Sequence, residues 1–177
     1  MKPCIVPLLT AAILSIISIR NVSGEERNMS RLSISSPAFA PNGPIPSKHT
    51  CDGIDVNPPL SIGNVPEAAK SLALIVDDPD APGGTWVHWV VWNIAPGTKE
   101  IPGDSVPQGA LQGTNDFRNR NYGGPCPPSG THRYFFKLYA LDAVLPLKAG
   151  ATKADLEPAM KGHILAQAEL IGQYGRK

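Results

Sequence analysis

Leu72-Ala73-Leu74-Ile75-Val76, followed by Asp78-Pro79-Asp80-Ala81-Pro82 and then Trp86-Val87-His88-Trp89, is the stretch from which the rest of the chain can be read. An apolar run of strand length comes first, then two carboxylates in a turn stiffened by prolines, then an imidazole at the head of a second apolar run. The pattern returns downstream. Gly123-Gly124-Pro125-Cys126-Pro127-Pro128-Ser129-Gly130-Thr131-His132-Arg133-Tyr134 is another Gly/Pro loop, and it leads through a histidine into Tyr134-Phe135-Phe136-Lys137-Leu138-Tyr139. Two such loops at strand ends can face each other across one pocket.

Outward from these segments, strand signals dominate. Arg31–Ser35, Leu60–Gly63, Ser71–Val76, Val87–Ile94, Tyr134–Tyr139 and Ala168–Gly175 are rich in β-branched, aromatic or alternating apolar residues. Breakers separate them: Pro41-Asn42-Gly43-Pro44, Asp52-Gly53, Asn57-Pro58-Pro59, Pro82-Gly83-Gly84, Pro96-Gly97 and Pro102-Gly103. The expected fold is mainly β, an antiparallel β-sandwich. One helix is expected from about Leu156 to Ala168, where Leu156, Ala159, Met160, His163, Ile164 and Gln167 recur at three-to-four spacing. Asp155 as its N-cap would leave Pro158 in the first turn, where a missing N–H costs nothing. His163 on the inward face reads as a core histidine.

The first residues carry Lys2, an uncharged run over Ile5–Ile19, and the small residues Val22-Ser23-Gly24. This is the pattern of a secretory signal peptide spanning 1–24, with a run too short to cross a bilayer. Residues 25–177 then form one expected domain, periplasmic or secreted. Basic residues are scattered and the formal net charge is +1, which argues against a nucleic-acid partner. Cys51 and Cys126 are the cysteines left after processing, and an oxidising compartment favours their pairing. The alternative is two separate buried thiols.

Asp-Pro-Asp-Ala-Pro, Trp-x-His, Gly-Pro-x-Pro-Pro and His-Arg-Tyr, in that order, resemble the phosphatidylethanolamine-binding protein family, also called Raf kinase inhibitor-like proteins. Thr50-Cys51-Asp52-Gly53 with Asn57-Pro58-Pro59-Leu60, Tyr122 through Pro128, and Ala159-Met160-Lys161-Gly162-His163 resemble its bacterial branch. The resemblance covers about Leu32 to Gly175. It implies two antiparallel sheets with a pocket at one edge, lined by Asp78, Asp80, Trp86, His88, Gly124, Pro125, His132 and Tyr134. It also implies a small-anion ligand (phosphate, phosphoethanolamine or another phospholipid head group, or a carboxylate), no metal or organic cofactor, and a role in docking onto a protein such as a kinase or protease. Val87 stands where many eukaryotic members have a second histidine, and the sequence ends soon after Tyr174 without their C-terminal helix. Those departures imply a less cationic and more open site.

The residues also support a chemical account. Two carboxylates repel an anion unless imidazoles offset them. If Asp78 accepts a hydrogen bond from His88 or His132, it fixes the tautomer, raises the imidazole pKa and leaves the other ring nitrogen for a ligand. Backbone N–H groups of Gly123-Gly124 and the Tyr134 hydroxyl are further expected donors. Arg133 reads as the partner of an acid, and Asp80 as either a ligand or a turn cap. Two other classes remain open at this point. Cys126 with His88 or His132 and Asp78 has the ingredients of a thiol hydrolase, and the same histidines with Asp78 and Asp80 could supply a zinc site.

Overall fold

The computed structural model describes Met1 and residues 31–176; the expected signal peptide lies outside the described residues. Among the described residues, eight strands form two antiparallel sheets. The smaller one contains β1 (Ser33–Ser35), β2 (Leu60–Gly63) and β5 (Glu100–Ile101), in the order β1-β2-β5. The larger contains β3 (Ser71–Asp78), β4 (Trp86–Ile94), β6 (Leu111–Gln112), β7 (Thr131–Leu141) and β8 (Ile164–Gly175), in the order β6-β4-β3-β7-β8. The α-helix among the described residues, α1 (Lys153–Met160), precedes β8, and a 3-10 turn occupies Ser47–His49.

β3 is buried along its whole length because both faces of the large sheet are covered. Leu72, Leu74 and Val76 point toward the small sheet with Trp89, Val91, Phe136 and Leu138. Ala73 and Ile75 point the other way, with Val90, Trp92, Leu156 and Met160. The same period of two places Asp78 on the small-sheet side and Asp77 on the helix side. Asp77 is fully buried there and is held by Lys137 of β7 and Lys153 of α1. On β7, His132 shares the inward parity of Tyr134, Phe136 and Leu138. Asp78 and His132 therefore continue the sandwich core to the end of the sheet, where it opens.

Two bulges interrupt the pairing of β3 with β4. In the second, Val76 opposes Trp89 and Asp77 opposes Val87, so His88 is the additional residue. A bulge re-aims the side chain it carries. The His88 ring leaves the regular alternation and meets Tyr134 edge-on, with centroids 5.2 Å apart.

The helix differs from its expectation in length and in cap. It ends at Met160 because Gly162 adopts a left-handed φ of 85° and residues from Ile164 onward pair with β7. Its N-cap is Thr152, with Asp155 at the third position of a capping box: the Asp155 carboxylate accepts from the Thr152 N–H at 2.8 Å. Pro158 thus lies inside the helix, offset by the capping box and by the burial of Leu156 and Met160. His163 is not a core residue. It is exposed in the turn and paired with Asp142 at 2.8 Å, and Ile164 and Gln167 belong to β8.

Candidate functional site

The end of the large sheet opens into a cavity of about 490 Å³ between the turn joining β3 to β4 and the loop preceding β7. Asp78, Trp86, His88 and His132 line it, together with Pro82, Gly83 and Gly84 of the first loop and Pro127 and Pro128 of the second. Asp78 is 3% exposed and His132 7%. Asp78 Oδ2 accepts from His132 Nδ1 at 2.7 Å, and its Oδ1 accepts the Asp80 N–H at 2.8 Å. Because a carboxylate only accepts here, His132 carries hydrogen on Nδ1 and keeps Nε2 for the cavity. Of the two histidines considered, Asp78 takes His132.

His88 is anchored differently. Its Nδ1–H donates to the Gly123 carbonyl at 2.6 Å. Burial lowers its pKa below the ordinary 6.5, against the opposing pull of the Gly123 hydrogen bond and the Asp78 charge. The Asp78 charge does act to raise this imidazole's pKa, but Asp78 makes its hydrogen bond to His132 instead, and at His88 desolvation outweighs the charge. The ring packs edge-on against Phe117 at 5.4 Å, and Phe117 in turn meets Trp86 at 5.4 Å. Trp86 and Phe117 are both more than a third exposed, so the cavity mouth is aromatic.

Asp80 does not line this cavity. Arg133 grips it with Nε at 2.8 Å and Nη2 at 2.6 Å, and adds its backbone N–H at 3.0 Å. That side-chain pairing brings the Asp80 carboxyl down to about 2. Tyr134 lies behind His88, 1% exposed, with a buried hydroxyl that has no hydrogen-bond partner. Burial, then the Asp78 and Asp80 charges, push its pKa far above that of a free phenol, so the hydroxyl keeps its proton.

Gly124 and Pro125 form the seam behind the cavity wall, and the backbone donors expected of the glycine pair are already used. The Gly123 N–H donates to the His88 carbonyl at 3.0 Å and the Gly124 N–H to Asp55 Oδ1 at 2.6 Å. These glycines serve close packing instead. A Cβ on Gly124 would sit 2.6 Å from the His49 carbonyl oxygen and 2.7 Å from Thr50 Cα; on Gly123 it would sit 2.6 Å from the Phe117 ring.

Cys51 and Cys126 form a disulfide, with Cα atoms 5.4 Å apart. Cys126 lines the cavity, but its sulfur is bonded and cannot attack a substrate, so the thiol-hydrolase alternative is not supported. Among the described residues no group of three or more His, Cys, Asp or Glu side chains is placed to hold a metal ion. Asp80 is committed to Arg133 and Asp78 to His132.

Asp116 and Phe117 of the cavity wall had no motif to announce them. They are held by Asn115, which is buried: its Nδ2 donates to the His88 carbonyl at 3.2 Å and to the Asn121 carbonyl at 2.9 Å, and its Oδ1 accepts the Asn119 N–H. Asp116 Oδ2 caps the exposed end of β4 by accepting the Val87 N–H at 2.7 Å. The signal available was the polar run Gly113-Thr114-Asn115-Asp116, rich in residues whose side chains bond nearby backbone.

The phosphatidylethanolamine-binding protein family model matches residues 35–175. A UPF0098 protein of Methanothermobacter thermautotrophicus is 54% identical over 150 residues, covering 82% of this chain and 99% of that protein. A UPF0098 protein of Pyrococcus horikoshii is 47% identical over 182 residues, covering 98% and 90%. Among solved structures, a putative phosphatidylethanolamine-binding protein homolog from Chlamydia trachomatis superposes with a TM-score of 0.80 at 44% identity, covering 83% of this chain and 99% of that one. Escherichia coli YbcL, described as a member of the mammalian family, gives 0.78 at 33% identity, covering 84% and 100%. With the matched region spanning both sheets and the cavity, this chain belongs to the phosphatidylethanolamine-binding protein family.

Proposed function

We propose that the protein is a non-catalytic binding module for small anions: phosphate, phosphate esters such as a phospholipid head group or phosphoethanolamine, or carboxylates. The observation that carries this reading is the buried Asp78–His132 pair, which turns His132 Nε2 toward the cavity. A protonated His132 is then an ionic donor whose charge is balanced by Asp78 behind it, so binding an anion need not expose an isolated buried charge. Prolines 82, 127 and 128 hold the walls before a ligand arrives, which lowers the ordering cost of binding.

In this reading the protein acts by occupancy, alone or docked on a partner such as a kinase or protease, and performs no turnover. Export to the periplasm or beyond belongs to the same proposal, supported by the apolar run Ile5–Ile19 and by the disulfide. Calorimetric titration of inorganic phosphate tests it. Wild type should bind in the micromolar-to-millimolar range typical of few contacts, and His132→Ala should weaken binding by about 10–100-fold, the loss of one charge-assisted hydrogen bond. His163→Ala, at the far end of the β7–β8 pair, should change nothing. Equal affinity in wild type and His132→Ala would refute the reading.

A further inference from the structure

We propose that His88 makes the cavity selective for acids that keep a proton on one oxygen when bound, phosphate monoesters foremost, over anions of equal charge that carry none, such as sulfate esters. The inference rests on the anion-binding reading above and concerns the same cavity. It starts from the 2.6 Å hydrogen bond between His88 Nδ1 and the Gly123 carbonyl. A carbonyl can only accept, so Nδ1 holds the hydrogen. In the neutral ring Nε2 is then a bare lone pair, and it has no protein partner among the described residues.

The surroundings keep the ring in that form. His88 is 3% exposed, wedged edge-on between Phe117 and Tyr134, and burial depresses its pKa. The charged and titratable groups around it are Asp78 from β3, His132 and Tyr134 from β7, Asp55 from the loop after the 3-10 turn, and Asp116 from the loop after β6. The Asp78 and Asp55 carboxylates favour protonation, and the desolvation that outweighs them is the largest influence on the ring.

Among the described residues the other polar side chains of the lining are Asp78, whose oxygens are taken, the Asp116 carboxylate, an acceptor, and the Thr85 hydroxyl on the turn between β3 and β4. The lining contains no lysine or arginine, and the N–H groups of Gly123 and Gly124 are taken by His88 and Asp55. One imidazole, His132, can donate to the ligand, and the other, His88, can only accept. A ligand with both an anionic oxygen and an O–H satisfies both nitrogens. A fully deprotonated oxyanion must set an oxygen against the Nε2 lone pair or leave that buried acceptor dry, and an unsatisfied buried group is costly.

Phenyl phosphate and phenyl sulfate test this, because the aromatic group is common and suits the Trp86–Phe117 mouth. At about pH 5, roughly one unit below the second ionisation of a phosphate monoester, the phosphate is largely a monoanion like the sulfate but retains a proton. Wild type should bind phenyl phosphate about tenfold or more tightly than phenyl sulfate, as expected for one buried acceptor satisfied against unsatisfied. His88→Phe keeps the ring volume, removes the acceptor, and should bring the ratio close to one. The His88 Nε2 nitrogen resonance of the wild type should shift with phenyl phosphate and not with phenyl sulfate, which tests the assignment even if the variant fails to fold. Equal affinities in wild type overturn the selectivity and leave the anion-binding reading standing. Selectivity retained in folded His88→Phe overturns the role of His88. Failure of both compounds to bind overturns both.

Discussion

Replacing Cys51 and Cys126 together by serine opens a loop whose ends lie 75 residues apart in sequence. Closing a loop of that size removes enough denatured-state entropy to be worth roughly 4 kcal/mol in the chain-entropy treatment. The native state has little reason to change, because the seam is held three further ways. The Cys51 N–H donates to the Pro125 carbonyl at 3.1 Å, the Gly124 N–H to Asp55 at 2.6 Å, and the Tyr122 hydroxyl to the His49 carbonyl at 2.9 Å. The cost should therefore appear almost wholly in the unfolded state. Urea unfolding of the double variant should show a loss of roughly 4 kcal/mol and a larger m value, since the open chain exposes more surface. In a thermal scan this corresponds to about 8–16 °C. Phosphate affinity of the folded protein should stay within about twofold, below the ~1 kcal/mol of one ordinary hydrogen bond. A loss under about 1 kcal/mol would refute the loop-closure argument. Lost affinity with an unchanged fold would refute the claim that the seam holds the cavity wall without the bridge.

Gly124→Ala drives a methyl group into the backbone of His49 and Thr50, which cannot swing aside as a side chain can; chemical denaturation should show a loss of about 1–3 kcal/mol. Arg133→Gln removes the grip on Asp80, so the carboxyl, now at about 2, should titrate near its ordinary 3.8 in a carbon-detected NMR titration. Because the folded pKa of Asp80 is depressed, its contribution is present above 3.8 and fades as pH falls toward 2; for an ion pair this exposed it is small and should weaken further with added salt. His88 is also depressed, but as a base: the unfolded chain takes up its proton first, so stability should fall as pH drops below 6.5, and folded His88→Phe should lose that component. A stability curve of the same shape for wild type and His88→Phe between pH 7 and 5 would contradict the buried neutral ring.

Much of the sandwich was legible because its strands carry the period of two or an unbroken apolar run. Leu60–Gly63 falls where it was read, and the other long strands extend the expected ones by a few residues. β5 and β6 have two residues each and no period to detect; they exist through pairing of Leu60 with Ile101 and Val91 with Gln112. The helix was overextended because Ile164-Leu165-Ala166-Gln167-Ala168 suits a helix by local preference. Pairing with β7 overrides that preference after the turn at Gly162. In the site, Asp78, His88 and His132 could be found from motif and turn chemistry. What one sequence does not reveal is where each hydrogen bond goes: that Asp78 takes His132 rather than His88, that Arg133 draws Asp80 away, and that Gly124 is consumed in packing. These depend on contacts between segments 35 to 75 residues apart.

The most direct test of the central claim is a long-range proton–nitrogen NMR spectrum of the histidine rings during titration with inorganic phosphate. The chain contains four histidines, and two of them are internal controls: His49, buried with Nδ1 on the Val56 carbonyl, and His163, exposed and paired with Asp142. The account predicts saturable shifts at Nε2 of His132 and His88, with both Nδ1 atoms still hydrogen-bonded as protonated donors and the control rings unmoved. Saturable shifts confined to His49 or His163, or no shift at His132 up to the highest phosphate concentration, would contradict it.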